Sequence, residues 1–413
     1  MRFLCLLSAF TVGCTINQPA TVTGLQSLEV KITAPTNLGT PGAPVLVTDL
    51  TFDITARDAS GEILVSDLDV DLYVSYAGNK IGMFTNCGKN EDTTPLERLH
   101  LKAGQLAAHS LHLPRAYGVT NLWLEEAQSH AVGASQAIYF ANPTVADVQT
   151  PLDPNSPTAT YCSTFEKKHV IIDRAAGSGK LVVTSVFNNA YVVADTGANY
   201  DPVKGTGGYN HLYVFSFGRP APELVPGRIL KMVEGNLSKF VGFTELNFPL
   251  QEASKNSPDP NLLPLTYALK PADRNQHGRL LRLDAATVSL SGTVCPINAM
   301  DSSWMKYNQF VLDLGDGVCD SRNTFAVELP GKLFSGVDWV KSVGKAFQIV
   351  GMLRNLSGQN EATKPPTLCH AEQDCLDSGL SGTSCVEGTC KKDAYNSWLV
   401  SPRTSSDITP ENI

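Results

Sequence analysis

The sequence predicts an all-β protein of several domains. Three features of the chain lead to this prediction: short segments in which apolar and polar residues alternate, frequent turn residues and few charged residues. Among 413 residues there are 33 glycines and 25 prolines, and only 17% of the residues are charged. Alternation with a period of two gives a strand one buried and one solvent-facing side. Short strands separated by Gly- and Pro-rich turns are typical of β-sandwiches and barrels.

The first 13 residues predict export. One positive charge precedes the apolar run of residues 3–12, and Gly13 and Cys14 follow it. A helix needs about 20 apolar residues to cross a membrane, and this run has instead the length and charge of a secretory signal. Cys14 resembles the lipid-attachment cysteine of bacterial lipoproteins, although Thr11 stands where leucine is usual.

This resemblance implies that residues 1–13 are a lipoprotein signal peptide and that Cys14 carries acyl chains such as palmitate. Acyl chains contribute about 0.8 kcal/mol of membrane affinity per buried methylene group. Residues 14–26 are polar and suit a tether. We therefore expect an exported protein that is lipid-anchored at the outer membrane or cell surface. The alternative is an ordinary secretory signal that contains Cys14 by chance.

The remaining cysteines agree with export. Beyond the signal and the lipidation site there are eight: Cys87, Cys162, Cys295, Cys319, Cys369, Cys375, Cys385 and Cys390. An even number in an exported chain predicts four disulfides, although the sequence does not give their connectivity. We expect Cys295 and Cys319 to flank a hairpin and to pair with each other. Cys87 and Cys162 would then join the first domain to its linker.

The last four cysteines lie in a separate Cys-rich segment, residues 366–393. This segment resembles small disulfide-rich insertions in myxobacterial surface proteins. A zinc site is the alternative. Zinc sites usually carry paired C-x2-4-C spacings, and only Cys385 and Cys390 are spaced in this way. We therefore predict disulfides and neither a metal site nor a cofactor.

Residues 27–142 predict an immunoglobulin-like β-sandwich. Alternating runs occur at 28–33, 50–56, 70–75, 99–101, 107–113, 121–125 and 136–141. About seven short strands at this spacing are typical of such sandwiches. The stretch 48–70 also resembles bacterial surface Ig-like modules. Residues 143–167 are rich in Pro, Asp, Thr and Ser and predict a linker.

Residues 168–256 predict a small barrel. Strand-like runs occur at 179–186, 190–195, 212–217, 228–237 and 240–246, with a Gly-rich loop before the third run. Their order, with Asp195 closing the second run and Gly235 inside the fourth, resembles the OB-fold repeats that accompany secreted bacterial endonucleases. The resemblance implies a binding module. It does not bring the activity, because the separate catalytic domain of those nucleases has no counterpart in this chain.

Residues 266–412 predict a second barrel of the same type, which contains the Cys-rich insertion. Residues 278–288 resemble the opening of the next repeat, and 310–314 and 324–329 are strand-like. The ending at 398–408, with Pro402-Arg403, resembles the ending of these repeats. Two related signatures in one chain favour a tandem arrangement.

The clearest candidate for ligand binding is an aromatic series in the first barrel. Tyr213, Phe215 and Phe217 alternate along one predicted strand, and Arg219 follows. Aromatic side chains on the open face of an OB-fold stack on bases or sugar rings, contributing about 1–3 kcal/mol per base. The alternative is that these side chains fill the barrel interior, as such residues do in small barrels.

No catalytic residues are predicted. No nucleophile can be matched to a base and an orienting acid, and the acidic stretch Asp313–Asp320 lacks the spacing of a calcium loop. We therefore expect a non-catalytic surface lipoprotein that binds an extracellular polymer or a partner protein. The alternative is a nucleic-acid-binding lipoprotein that acts with a secreted nuclease. The net charge of −8 does not favour it, because proteins that grip nucleic acid are usually basic.

Overall fold

The computed structural model describes residues 24–411 with internal gaps. The gaps are residues 47, 77–78, 82–93, 114–115, 127, 130, 152–162, 164, 174–178, 202, 241–242, 298–303, 305–306, 316, 320–322, 330–336, 358–382, 387–388 and 393–395. The described chain is all-β apart from two short α-helices and several 3-10 turns. No helix in the described part of the chain is long and apolar enough to cross a membrane.

The N-terminal domain consists of two antiparallel sheets. Its strands are β1 (Ser27–Ala34), β2 (Asp49–Arg57), β3 (Leu68–Tyr76), β4 (Asn79–Ile81), β5 (Glu97–Leu101), β6 (Gln105–His112), β7 (Val119–Glu126), β8 (Val132–Ala134) and β9 (Ile138–Tyr139). The first sheet has the order β1-β2-β6. The second is built on the pair β3–β7, with β4 and β5 on one side and β8 and β9 on the other. Every second residue of β2 is buried, as the alternation predicted.

A short helix lies in the segment that was predicted to be a linker. Helix α1 (Val145–Gln149) begins at Thr144, whose side chain forms a capping box with Asp147. Such a box satisfies two backbone N–H groups at a helix start. Val145 is completely buried, and the Gln149 side chain donates a hydrogen bond of 2.5 Å to the His211 carbonyl. The helical part of residues 143–167 is therefore packed against the next domain and does not behave as a free linker.

A six-stranded sheet follows, and five of its strands close into a barrel. Its strands are β10 (His169–Asp173), β11 (Leu181–Val186), β12 (Ala190–Asp195), β13 (His211–Phe215), β14 (Ile229–Phe240) and β15 (Phe243–Ala253). The ring runs β11-β12-β13-β15-β14 and closes through β11–β14 pairing, while β10 extends the edge of β14. All pairs in the ring are antiparallel except β13 and β15, which are parallel. We call this the first barrel.

The second barrel repeats this arrangement. Its strands are β16 (Tyr267–Ala268), β17 (Thr287–Val294), β18 (Gln309–Asp313), β19 (Thr324–Glu328), β20 (Ala346–Ser357), β21 (Thr383–Val386), β22 (Thr389–Lys392), β23 (Asn396–Ser401) and β24 (Ile408–Pro410). The ring runs β17-β18-β19-β23-β20 and closes through β17–β20, with β19 and β23 parallel. Strands β21 and β22 form a separate hairpin.

The opening of the second barrel is partly helical. Residues 278–288 resembled the opening of a strand repeat, but helix α2 (His277–Arg282) occupies their first half and β17 begins only at Thr287. Leu280, Leu281 and Leu283 are buried in the hydrophobic core of the second barrel. Their burial explains why this stretch is helical, because a helix turns neighbouring positions of this kind toward one side.

One predicted disulfide lies within the described residues. Cys295 and Cys319 are bonded, with their Cα atoms 5.7 Å apart, as the sequence predicted. Cys385 and Cys390 stand opposite each other in the β21–β22 hairpin. Four cysteines, Cys87, Cys162, Cys369 and Cys375, lie outside the described residues, as do Cys14 and the signal segment.

Candidate functional site between the two barrels

A cleft of about 700 Å³ lies between the two barrels. On the first barrel it is lined by β13, by the β11–β12 turn and by the loop after β13. On the second barrel it is lined by residues of β19, β20 and the end of β23. The outer faces of the third strands, β13 and β19, therefore meet the same cleft.

Strand alternation places two of the predicted aromatic residues in the cleft. Leu212 and Val214 are completely buried in the hydrophobic cluster that fills the first barrel. Because neighbouring residues of a strand point to opposite sides, Tyr213 and Phe215 are directed outward, where they line the cleft and are only partly buried. The alternative interpretation, that the aromatic residues fill the barrel, is therefore wrong for this pair.

Tyr213 is held by its neighbours on both barrels. Its ring contacts the Phe243 ring edge to face at 5.2 Å. The Arg354 guanidinium of the second barrel lies 6.0 Å from the Tyr213 ring and 5.1 Å from the Phe243 ring, within the range of cation–π attraction. Burial raises the pKa of Tyr213 to about 12, so its hydroxyl is protonated at neutral pH.

Phe217 is placed differently from the prediction. Strand β13 ends at Phe215, since Ser216 and Gly218 form a tight turn in which the Ser216 hydroxyl donates to the Gly218 carbonyl at 2.7 Å. Phe217 therefore has a φ of +60° and a 55% exposed side chain. It lies beside the cleft, in contact with Phe215 at 4.5 Å, and does not line it.

Three arginines and two glutamates give the cleft charges of both signs: Arg219, Arg354, Arg403, Glu245 and Glu328. Arg219, which the sequence predicted, is exposed. Arg354 lies 4.0 Å from Glu328. Arg403 is held by Asp407 through hydrogen bonds of 2.8 and 3.1 Å. The cleft therefore offers both hydrogen-bond donors and acceptors.

Two residues that line the cleft carry buried polar atoms without a hydrogen-bond partner among the described residues. The atoms are Arg354 Nε and Ser401 Oγ. An unpaired buried polar group costs about 1–3 kcal/mol, and native proteins contain few of them. Glu245 differs, because Ser238 donates to it at 3.4 Å, although burial still raises the pKa of its carboxyl group.

The contact between the two barrels contains ionisable groups that are poorly solvated. Asp284 of the second barrel accepts a hydrogen bond of 3.0 Å from the Asn355 backbone N–H. Burial raises its pKa to about 7, although the positive charges of Arg354 and Lys239 act in the opposite direction. Burial also lowers the pKa of Lys239, on the first barrel, to about 8. Burial therefore opposes the charged form of a group on each side of this contact.

Sequence reasoning identified one side of the cleft and missed the other. Tyr213, Phe215 and Arg219 were predicted, and the structure brings them together. Arg354 was not predicted. The structure shows it outward on β20, whereas neighbouring Leu353 is buried in the barrel. Arg403 lies in the Pro-Arg ending on which the resemblance of the second repeat was based.

Other polar groups of the described chain include histidines and carboxylates, which are common metal ligands. Within the described part of the chain there is no group of three or more His, Cys, Asp or Glu residues that could hold a metal ion. The neighbouring histidines of β6 bind different carboxylates, His109 to Glu97 at 3.0 Å and His112 to Asp49 at 2.7 Å.

Comparison of the sequence with protein-family models and with curated proteins finds no match.

Proposed function

We propose that this protein is an exported, non-catalytic binding protein, anchored in the outer membrane or at the cell surface through lipid on Cys14. Its ligand is a segment of an extracellular polymer, which binds in the cleft between the barrels. The N-terminal domain serves as a spacer that carries the barrels away from the membrane. The predicted secretory signal and the disulfide between Cys295 and Cys319 support life outside the cytoplasm.

The strand orders support the finer domain assignments that we propose. Each barrel follows the sequence order first-second-third-fifth-fourth, with the third and fifth strands parallel. This agrees with an OB-type barrel, which is a five-stranded Greek-key barrel. The two packed antiparallel sheets of residues 27–142 agree with an Ig-like sandwich. OB-type barrels serve many ligands, so function must be argued from the cleft.

The observation that carries the proposal is the composition of the cleft. The outward rings of Tyr213 and Phe215 face charged donors and acceptors across a cleft of about 700 Å³. Ligand sites combine an apolar surface with a few converging polar groups in this way. A catalytic role has less support, since no base among the described residues contacts the Ser401 hydroxyl and the Tyr213 hydroxyl keeps its proton.

Nucleic acid is the second candidate ligand. It is favoured by the outward position of Tyr213 and Phe215 on a barrel strand, where bases can stack, with Arg219 beside them. It is opposed by Glu245 and Glu328, which face the cleft from the two barrels, and by the net charge of −8. Counterion release would make such binding fall steeply as salt increases.

Binding titrations of the full chain in detergent micelles test this proposal. The probes are two neutral polysaccharides, galactomannan and dextran, and single-stranded poly(dT), each at low and high salt. Arg219→Ala should bind the probe that the unmodified chain binds, but about tenfold more weakly, a loss of about 1.4 kcal/mol. Its thermal midpoint should be unchanged because Arg219 is exposed. Lys31→Ala, an exposed change on the N-terminal domain, is the control. Failure of all three probes to bind, or equal binding by both variants, would contradict the proposal.

A further inference from the structure

A second aromatic surface lies next to the cleft. Phe217 stacks on Phe248, with ring centroids 4.6 Å apart and planes inclined by 26°. The two side chains are 55% and 68% exposed. Exposed apolar groups that form a contiguous patch mark interaction surfaces more often than isolated ones do. We call this stacked pair the Phe217–Phe248 platform.

The backbone holds both rings in unusual positions. Phe217 has a φ of +60° and Phe248 a φ of +53°, in the left-handed region that bulky residues rarely adopt. Glycine would occupy these positions without strain. Strained backbone that presents an exposed side chain is found mainly at sites that bind or react. The structure therefore keeps two solvent-facing aromatic rings where folding alone would favour smaller residues.

The platform is continuous with the cleft. The Phe217 ring contacts Phe215, which lines the cleft, at 4.5 Å. The smaller depression beside the platform shares Arg219, Pro220 and other residues of the loop after β13 with the cleft. A chain-like ligand that leaves the cleft along this loop would pass directly onto the exposed rings.

We propose that the bound polymer is a polysaccharide, and that it runs from the cleft onto the Phe217–Phe248 platform. This inference rests on the proposed function and names the ligand class for that site. A sugar ring has an apolar face that can stack on an exposed aromatic ring, and hydroxyl groups around its edge. The cleft supplies the aromatic face of Phe215 and the platform supplies that of Phe248.

The polar groups of the cleft favour a saccharide over a nucleic acid. A hydroxyl group both donates and accepts hydrogen bonds, so it can bind the arginine donors and also the carboxylates of Glu245 and Glu328. The oxygens of a phosphodiester only accept, and their negative charge would face both glutamates. Charge complementarity in the cleft thus fits a ligand of low charge density with many hydroxyl groups.

The test uses glycine variants, because they remove the ring without adding strain. Full chains carrying Phe217→Gly or Phe248→Gly are titrated in detergent micelles with galactomannan, dextran and poly(dT). The unmodified chain identifies which saccharide binds. Each glycine variant should bind that saccharide about tenfold more weakly than the unmodified chain does, and its thermal midpoint should be unchanged or higher. A separate variant, Phe248→Tyr, should bind as tightly as the unmodified chain, because it keeps the aromatic ring. Ala108→Gly is the matched control, because Ala108 also has a positive φ, of +50°, but lies on the N-terminal domain.

The outcomes separate this inference from the proposed function. Saccharide binding that is weakened by both Arg219→Ala and the two glycine variants supports both. Saccharide binding that depends on Arg219 but not on the platform overturns the path proposed for the polymer. Binding of poly(dT) alone, dependent on Arg219, overturns the saccharide class and leaves the cleft as a polymer site. Binding of no probe overturns both.

Discussion

The two barrels share one strand order but differ on the outer face of the third strand. In β13 the inward residues are Leu212 and Val214, and in β19 they are Phe325 and Val327, all completely or almost completely buried. The outward residues differ in kind. In the first barrel they include Tyr213 and Phe215, whereas β19 presents Thr324, Ala326 and Glu328.

This difference shows that the inner faces of the barrels serve folding, whereas the outer faces are available for binding. A closed barrel must fill its interior with apolar side chains, so the inward pattern is the same in both copies. The outer face has no such requirement, and there the first barrel supplies rings while the second supplies Glu328 and Arg354. The cleft therefore depends on two barrels that are alike inside and complementary outside.

The largest expected effect tests the shared interior. Leu212→Ala in the first barrel should lower the free energy of unfolding by about 2–5 kcal/mol, and Phe325→Ala in the second by about 3–5 kcal/mol, because each leaves a cavity. Phe215→Leu, on the outer face, should change it far less. Urea denaturation of the three variants measures these differences. An equally large loss for Phe215→Leu would contradict the division into inner and outer roles.

The next effect concerns the contact between the barrels. The unfolded chain releases the Asp284 proton near its ordinary pKa of 3.8, whereas the folded chain keeps it up to about pH 7. Folding therefore binds a proton between these values, and this group's contribution to stability decreases as the pH rises through that window. Asp284→Asn should remove the decrease, with a gain over the unmodified chain of about 4 kcal/mol above pH 7 and little gain below pH 4.

Urea denaturation of Asp284→Asn and of the unmodified chain, at a series of pH values, measures this gain. The comparison between chains is essential, because buried His211 has a pKa lowered to about 4. The contribution of His211 to folding stability decreases as the pH falls below its ordinary pKa of 6.5. In the unmodified chain this change partly masks the opposite change caused by Asp284. Glu62→Gln, an exposed change, is the control. A gain that does not depend on pH would contradict this prediction, because it would show that Asp284 has the same pKa in the folded and unfolded chains.

A smaller effect distinguishes the second barrel from the first. The Cys295–Cys319 disulfide closes a loop with a sequence separation of 24 residues. Its removal in a double Cys→Ser variant should lower the free energy of unfolding by about 3 kcal/mol. Hydrogen exchange should show faster opening in β17 and β18 and unchanged opening in β11 and β12. Equal acceleration in both barrels would mean that they unfold as one unit.

The sequence predicted the interior of the fold better than its surfaces. Period-two alternation gave nearly every strand of the first barrel because inward positions such as Leu212 and Val214 are constrained by burial. It placed Phe217 on the strand because apolar alternation continues past Phe215, whereas the turn at Ser216 depends on local hydrogen bonds. Helix α1 was missed because five residues give no helical period and its stability comes from a cap at Thr144 and from packing.

The half of the cleft that the second barrel contributes could not be predicted from the sequence, and the reason is different. Arg354 is distant in sequence from Tyr213, and the two meet only because the barrels pack against each other. Alternation indicates which side of a strand is outward, but not which other domain that side contacts. The residues of the second barrel therefore required the three-dimensional structure.

Hydrogen–deuterium exchange of the full chain with and without dextran tests the central claim most directly. If the polymer binds between the barrels, exchange should slow in β13, in the loop that follows it up to Pro226, and in β20, and should be unchanged in the sheets of residues 27–142. Slower exchange confined to residues 27–142 would contradict the account, because it would place the binding surface on the domain that we assign as a spacer.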